Sequence, residues 1–350
     1  MRKTYKKEKR NIDRMRALVT GGAGFIGSHV VNELLKMDMQ VVVIDDLSGG
    51  FIENINPNAT FIEGTILNHK FIDDVFNKYS FDYVYHLAAY AAEGLSHFIK
   101  RFNYNNNLIG SINLINSSVN HNVKCFVFTS SIAVYGALKP PMHEDLHPEP
   151  EDSYAIAKYS VELELKASKM MYDMDYVIFR PHNVYGEMQN IGDKYRNVIG
   201  IFMNQIMQGK PITIFGDGKQ TRAFSYIKDI SGIIAKSVDN VKAINDVFNI
   251  GADETYTISQ LAKVVMDVMG NGDEEIRYLD ARKEVVHAHA DHSKVREVFG
   301  ANTSTSLESG VRAMANWALQ VGSKESQIFS SIEIEKNMPD SWKNILRKEK

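Results

Sequence analysis

The sequence predicts an α/β fold, in which a doubly wound parallel sheet is followed by a smaller mixed α/β lobe. In the first half of the chain, short β-branched segments alternate with longer segments of helical periodicity, which is typical of parallel strands joined by crossover helices. The strand segments are almost continuously hydrophobic, as expected where helices cover both faces of a sheet. A glycine-rich turn between the first strand and the first helix is the third observation that favours this fold class.

The elements of the first half can be assigned from this periodicity. The predicted strands are residues 16–20, 40–45, 60–63, 83–87, 124–130 and 176–180. The predicted helices are 25–36, 103–120 and 153–171. Together they form the alternating order that a doubly wound sheet requires.

After Pro181 the elements become shorter and less regular. Helical patterns cover residues 229–238, 257–269 and 307–319, and a strand is predicted at 247–250. We therefore expect four parts, with a possible chain crossing between the second and the third. These parts are a basic N-terminal extension (1–14), a dinucleotide-binding domain (15–181), a substrate-binding lobe (182–320) and a polar, peripheral C-terminal tail (321–350).

Composition excludes several classes of protein. The 350 residues include 40 basic and 43 acidic side chains, and this balance does not indicate a nucleic-acid partner. No apolar run is long enough to cross a membrane. Cys125 is the single cysteine, which rules out an intrachain disulfide, and no cluster has the spacing of a metal site. We therefore expect a cytoplasmic protein without a metal.

The glycine-rich turn predicts a dinucleotide site. Gly21, Gly24 and Gly27 follow the first strand and open the first helix, whose N-terminus can bind a pyrophosphate. Asp45 ends the second strand, where a carboxylate accepts both hydroxyls of the adenosine ribose and repels a 2′-phosphate. The cofactor of this Rossmann-like domain is therefore predicted to be NAD. The loop residues expected to contact it are Gly21, Gly24, Phe25, Ile26 and Gly27.

A tyrosine and a lysine four residues apart form a candidate catalytic pair. Tyr154 and Lys158 share one face of the helix over 153–171, and they come 23 residues after Ser131, at the end of the fifth strand. A free phenol has a pKa of about 10, so it is a poor base at neutral pH. A nearby ammonium group is expected to lower the pKa of the phenol.

The G-x-x-G-x-x-G spacing and the Ser, Tyr and Lys positions resemble the extended short-chain dehydrogenases/reductases, and within them the NAD-dependent epimerase/dehydratase family with its UDP-glucose 4-epimerases. The resemblance covers about residues 15 to 318. It implies that Ser131 hydrogen-bonds the sugar hydroxyl and that Tyr154 removes its proton. It also implies that Lys158 holds the nicotinamide ribose and tunes the tyrosine.

The resemblance implies further contacts to cofactor and substrate. On the cofactor side they are Thr65, Leu87, Ala88, Ala89 and Asn106, with Asn107 as the alternative to the last. On the substrate side they are Asn183, which contacts the phosphate, and Arg222 and Arg282, which bind the diphosphate. Two differences from the family pattern stand out, because Thr65 replaces an aspartate and Tyr90-Ala91 replaces a Leu-Lys pair.

The reaction is predicted by exclusion. The segment from Thr129 to Ala133 lacks the carboxylates of the dehydratase and decarboxylase branches, and Ala133 lacks the thiol of a cysteine-dependent epimerase. What remains is an epimerase that inverts one carbon, C4, of a nucleotide-diphospho-sugar such as UDP-glucose or UDP-galactose through a keto intermediate. The open alternatives are a 4-dehydrogenase that releases the keto sugar, a GDP-sugar epimerase, and an NAD-sensing or scaffold protein.

Family members pair through two helices, which implies a homodimer with a four-helix interface. The helices over 103–120 and 153–171 are the candidates in this chain.

Overall fold

A seven-stranded parallel sheet forms the centre of the computed structural model, which describes residues 14–270, 275–282, 285–301, 305–325, 329, 331–340, 342 and 343. The strands are β1 (Arg16–Thr20), β2 (Gln40–Asp45), β3 (Thr60–Glu63), β4 (Tyr83–His86), β5 (Cys125–Thr129), β6 (Asp175–Pro181), β7 (Val184–Tyr185), β8 (Ile212–Phe215), β9 (Thr221–Ala223), β10 (Ser225–Tyr226), β11 (Asp246–Ile250), β12 (Thr255–Thr257), β13 (Ile276–Leu279) and β14 (His287–Ala288). The central sheet has the order β11-β6-β5-β4-β1-β2-β3. This confirms the predicted fold class.

Helices cover both faces of that sheet. They are α1 (Phe25–Lys36), α2 (His69–Lys78), α3 (Glu93–Ser96), α4 (Lys100–Tyr104), α5 (Gly110–Asn120), α6 (Ser153–Tyr172), α7 (Val198–Met207), α8 (Ile227–Lys236), α9 (Ile258–Met269), α10 (Ser293–Phe299) and α11 (Leu307–Val321). The two faces alternate along β1, where Ala17 and Val19 pack with Val30 of α1, whereas Leu18 packs with Phe76 of α2.

Most predicted bounds agree with the structure within one residue. The predicted helix over 103–120 differs, because a π-helical turn at Asn105–Ile109 separates α4 from α5. Helix α6 starts where predicted, since the Asp152 carboxylate accepts a hydrogen bond from the Ala155 N–H at 2.9 Å. It ends at Asp173, which has the left-handed conformation of a helix cap.

The chain returns from the lobe to the predicted dinucleotide-binding domain. Strand β11 comes from the part of the sequence assigned to the lobe, yet it pairs with β6 at the edge of the central sheet. Helix α8, from the same part, packs against α1 in the helix layer. The remaining lobe consists of small sheets, β12-β9-β14 and β13-β8, and of helices α7, α9 and α11 packed on one another.

The C-terminal tail is not peripheral throughout. Met338 and Trp342 are only 3% and 5% exposed, and they share an apolar cluster with Leu95 and Ile99. The prediction of a peripheral tail is therefore wrong for these residues, whose burial a mostly polar sequence does not reveal. Residues 1–13 of the predicted basic extension lie outside the described residues.

None of the helices within the described ranges is both long enough and apolar enough to cross a membrane.

Candidate active site

A cleft of about 790 Å³ runs along the carboxyl ends of the central strands and continues under the lobe. Strands β1 and β4 are neighbours that lead to opposite halves of the sheet, and a ligand crevice forms where the strand order reverses in this way. The cleft is lined by residues that follow β1, β2, β4, β5 and β6, and by residues of the lobe.

The phosphate loop requires glycine on geometric grounds. Gly21 has a φ of +72°, and a Cβ added there would lie 2.7 Å from the backbone of Ala88, beyond β4. Gly24 precedes α1 and has no side chain to cap it, so the first N–H groups of α1 are not covered by a capping side chain. Gly21, Gly24, Phe25, Ile26 and Gly27 all line the cleft, as predicted.

We expect Gly21→Ala to weaken NAD binding at least tenfold, about 1.4 kcal/mol. The methyl group would push the loop away from Ala88, in addition to the cost of a positive φ. Bound NAD would be measured in the purified variant by absorbance after acid release. Gly209→Ala is the matched control, since Gly209 has a φ of +62° and a Cβ added there would meet no atom within 4 Å. Equal NAD content in the two variants would contradict a cofactor role for this loop.

Asp45 lies in the cleft with its carboxylate held by backbone groups. It accepts hydrogen bonds from the N–H groups of Ala23 at 3.0 Å and Leu47 at 2.8 Å. Burial raises the pKa of this carboxyl, and the backbone hydrogen bonds oppose that shift. Each carboxylate oxygen has a second acceptor position, so the group can also bind ribose hydroxyls.

The predicted adenine contact of Thr65 is not evident in the cleft. Its neighbours Gly64 and Ile66 line the cavity, whereas Thr65 does not, and its hydroxyl accepts a hydrogen bond from the Leu67 N–H. The residues after β4 do line it, and they are Leu87, Ala88 and Ala89.

Of the two asparagines considered for the cofactor, only Asn106 lines the cleft. Its amide donates to the carbonyl of Phe102 at 2.9 Å. Asn107 is buried and bonds the backbone of Tyr90 with both its oxygen, at 2.9 Å, and its nitrogen, at 3.1 Å. Asn107 therefore holds the loop after β4 in place.

Ser131, Tyr154 and Lys158 meet at the end of β5. The Ser131 side chain acts on the Tyr154 phenol and lowers its pKa. The Lys158 ammonium lies 5.9 Å from the centre of the Tyr154 ring, and it donates to the carbonyl of Thr129 at 2.8 Å. All three residues line the cleft, although Tyr154 and Lys158 are only 5% and 2% exposed.

Burial dominates the electrostatics of this pair. It raises the pKa of Tyr154 above its ordinary value, the Glu93 charge raises it further, and Ser131 lowers it. Burial also lowers the pKa of Lys158 to about 7, which Glu162 opposes. The expected lowering of the tyrosine pKa by Lys158 is therefore not found in the protein alone, because both groups are withdrawn from water.

A buried ion pair lies next to the candidate catalytic residues and contacts the segment that follows β5. Arg180 of β6 and Glu162 of α6 are 2.6 Å apart and almost fully buried, and the Ser130 hydroxyl donates to the same carboxylate at 2.5 Å. The hydrogen bond to Glu162 fixes the position of Ser130, which directly precedes Ser131. Sequence reasoning missed the pair, although Glu162 comes one helical turn after Lys158 and so faces the same side of α6.

The predicted substrate residues also line the cleft. Asn183, which follows β6 with a φ of +39°, donates to the carbonyl of Ala223 at 3.1 Å. Arg222 of β9 donates to the carbonyl of Val285 at 2.6 Å. Arg282 follows β13, with its guanidinium 3.1 Å from the centre of the Phe215 ring. Asn183 thus follows a strand of the central sheet, whereas Arg222 and Arg282 come from the lobe.

Sequence reasoning missed Arg196 and Tyr90. The Arg196 guanidinium lies 4.5 Å from the centre of the Tyr90 ring, pairs with Asp193, and contributes to the field at Tyr154. Both residues line the cleft. A signal was present in the sequence for Tyr90, since it falls in the Tyr90-Ala91 pair that departs from the family pattern.

His86 has a structural role. It is 1% exposed, and its ring nitrogens bond the hydroxyls of Thr20 at 2.7 Å and Ser111 at 2.8 Å. Burial lowers its pKa well below the ordinary value, so it stays neutral. Among the described residues, no group of three or more His, Cys, Asp or Glu side chains is placed to hold a metal ion.

The fold and the cleft are those of an extended short-chain dehydrogenase/reductase. Residues 17–251 match the model of the NAD dependent epimerase/dehydratase family. The chain belongs to this family.

Three proteins that are similar to this chain are 4-epimerases of UDP-sugars. The UDP-glucuronate 4-epimerase of Thermodesulfobacterium geofontis is 31% identical, over 91% of this chain and 99% of the relative. The structure of UDP-glucose 4-epimerase with UDP-glucose from Thermotoga maritima has a TM-score of 0.84 and 35% identity, covering 88% of this chain and 99% of that one. The structure of UDP-glucuronic acid 4-epimerase from Bacillus cereus, in complex with UDP-glucuronic acid and NAD, has a TM-score of 0.81 and 30% identity. The match covers 88% of this chain and 100% of that one.

NAD is the cofactor of this family, and the residues present fit it. A Cβ at Gly21 would fill the space between the phosphate loop and Ala88. Asp45 lies at the end of β2, and its carboxylate can accept further hydrogen bonds beside those from Ala23 and Leu47. The first turn of α1 can receive the pyrophosphate, while Asp45 can receive the ribose of the adenosine.

Proposed function

We propose that this protein is an NAD-dependent epimerase that inverts C4 of a UDP-sugar through a transient keto intermediate. The observation that carries the proposal is the meeting of Ser131, Tyr154 and Lys158 in the cleft that also contains the phosphate loop. The relatives act on UDP-glucose and UDP-glucuronate, which supports a uridine nucleotide.

In this proposal, Ser131 and Tyr154 bind the C4 hydroxyl of the sugar, and Tyr154 takes its proton. The chemistry that bound NAD would supply is hydride acceptance from the same carbon and hydride return to its opposite face, and its positive charge would favour the phenolate. Tyr154 would give the proton back to the C4 oxygen when the hydride returns. Because burial raises the pKa of Tyr154, this base needs a cationic partner beside it to act at neutral pH. Lys158 remains within reach of the ring, and its Thr129 hydrogen bond fixes its position.

The diphosphate of the substrate would be bound from the lobe. Arg222 and Arg282 offer guanidinium groups, whose planar donors match phosphate oxygens in pairs. Asn183 follows the end of β6 and lines the same cleft, where it can bond the phosphate next to the sugar.

The test is an assay of the purified protein with UDP-glucose, UDP-galactose and UDP-glucuronate, each followed by chromatography of the sugar nucleotides. We expect interconversion of C4 epimers without lasting absorbance at 340 nm. Stoichiometric growth of that absorbance would instead identify a dehydrogenase that releases the keto sugar. Turnover of GDP-sugars alone would identify a GDP-sugar epimerase, and no turnover at all would favour a sensor or scaffold.

We also propose a homodimer through α4–α5 and α6. Ile109, Ile156 and Leu163 are 49%, 39% and 48% exposed on these helices, and such apolar side chains are typical of a covered helix face. We expect the double variant Ile109→Asp/Leu163→Asp to be monomeric by analytical ultracentrifugation. Ile52→Asp is the control, since Ile52 is 52% exposed elsewhere on the molecule. A wild-type monomer would contradict the proposal.

We place the protein in the cytoplasm. The buried Cys125, whose pKa is raised by burial, is compatible with a reducing compartment.

A further inference from the structure

The C-terminal strap, which is the described residues 329, 331–340, 342 and 343, crosses from the lobe to the dinucleotide-binding side. Before it, the carbonyl of Lys324 accepts a hydrogen bond from α7 at 2.9 Å. The Glu333 backbone N–H donates to the carbonyl of Phe98 at 2.9 Å. The Glu333 carboxylate accepts hydrogen bonds from the backbone N–H groups of Arg101 and Phe102, both at 2.9 Å, at the start of α4. The Phe329 N–H donates to the Tyr195 hydroxyl at 3.4 Å, so the described residues of the strap contact both the loop before α7 and the start of α4.

Trp342 of the strap lies inside the cleft. It is 5% exposed, and its ring packs edge-on against Phe98 at 6.0 Å and against Tyr195 at 5.2 Å. Phe98 belongs to the segment between α3 and α4, whereas Tyr195 belongs to the loop before α7. The indole thus contacts both sides of the cleft at once.

The third partner of Trp342 is Arg282. The guanidinium carbon of Arg282 lies 4.7 Å from the centre of the Trp342 ring and 3.1 Å from the centre of the Phe215 ring. All five N–H donors of a guanidinium lie in its plane, so aromatic contacts on its faces do not compete with them. Such contacts fix the orientation of that plane, which pre-organises the donors for a planar pair of phosphate oxygens.

We propose that the C-terminal strap is part of the substrate site, with Trp342 as a positioning residue that holds Arg282 for the diphosphate of the nucleotide sugar. This inference rests on the proposed function, and it adds a segment that composition marked as a peripheral tail. Loss of the indole would remove one of the two aromatic contacts that orient the Arg282 guanidinium, and the ligand would then have to supply part of that ordering.

The experiment measures binding of UDP to the full-length protein with its NAD, by isothermal titration calorimetry. We expect Trp342→Ala to raise the Kd for UDP roughly tenfold, the scale of a desolvated cation–π contact. Trp342→Phe should restore most of the affinity. With the UDP-sugar substrate, Trp342→Ala should raise KM by a similar factor and change kcat little. NAD content should equal that of the wild type.

Two further variants distinguish positioning from a general structural role. In a double-mutant cycle with Arg282→Gln, Trp342→Ala should cause no further loss of UDP affinity, because both changes remove the same contact between Trp342 and Arg282. Trp317→Ala on α11 is the matched control and should leave the Kd for UDP unchanged. Wild-type affinity in Trp342→Ala, or full additivity with Arg282→Gln, would overturn the inference while leaving the proposed function intact. A wild-type protein that does not bind UDP would overturn both.

Discussion

Tyr154→Phe is expected to lower kcat by about 10²- to 10⁴-fold, the range attributed to a positioned general acid–base. The change removes the phenolic oxygen that would take the proton of the sugar hydroxyl, and it leaves the ring in place. Because Tyr154 is buried among residues of β5 and α6, the ring keeps its packing, so stability and NAD content should change little. The measurement is the rate of epimer formation at saturating UDP-sugar.

The matched control for that prediction is Tyr159→Phe on the same helix. Tyr159 is half-buried and packs edge-on against His147 at 6.4 Å, and it does not line the cleft. It should keep the wild-type rate within about twofold, as is usual for changes away from special features. If Tyr154→Phe retained full turnover, the proposed base would be wrong, even if the cofactor site were intact.

Arg180→Met is expected to cause the largest loss of stability, about 3–5 kcal/mol. The change leaves the Glu162 carboxylate buried at 0% exposure without its cation, and it also frees the Tyr135 hydroxyl, which Arg180 contacts at 2.7 Å. For a chain of this size, that loss corresponds to a fall in melting temperature of roughly 4–7 °C. Scanning calorimetry at neutral pH measures it directly.

The exposed pair of Arg312 and Glu308 on α11 is the control for that prediction. Its atoms are 2.8 Å apart, but the side chains are 57% and 67% exposed, so Arg312→Met should cost only about 0.3–0.5 kcal/mol. The double variant Arg180→Met/Glu162→Leu should recover much of the lost stability, because neither charge of the pair is then left buried without its partner. Equal effects of Arg180→Met and Arg312→Met would contradict the structural role of the buried pair.

The parts of the site that could be predicted are those encoded by a short sequence pattern. The phosphate loop needs three glycines within seven residues, and Tyr154 and Lys158 need one helical turn. Strand ends could be assigned as well, because buried strands are nearly continuously apolar. The relative position of Ser131 followed from the rule that parallel strands end at one edge of the sheet.

What could not be predicted depends on loops and on distant segments. Arg196 reaches Tyr90 only because the loop before α7 folds over the segment that follows β4. Met338 and Trp342 lie four residues apart in a mostly polar segment, and this spacing does not show which distant part of the fold buries them. The pKa of Tyr154 is set by how deeply the whole fold buries it, and spacing carries no information about depth.

The route of the chain through β11 has a consequence for how this protein can be divided. Because β11 closes the sheet beside β6, a fragment that stopped at residue 181 would expose the backbone donors and acceptors of β6 along an open edge. It would also uncover the apolar surface of α1 that α8 covers. The nucleotide-binding half is thus completed by residues that the chain reaches only after passing through the lobe, and neither half can be inherited or exchanged as a separate module.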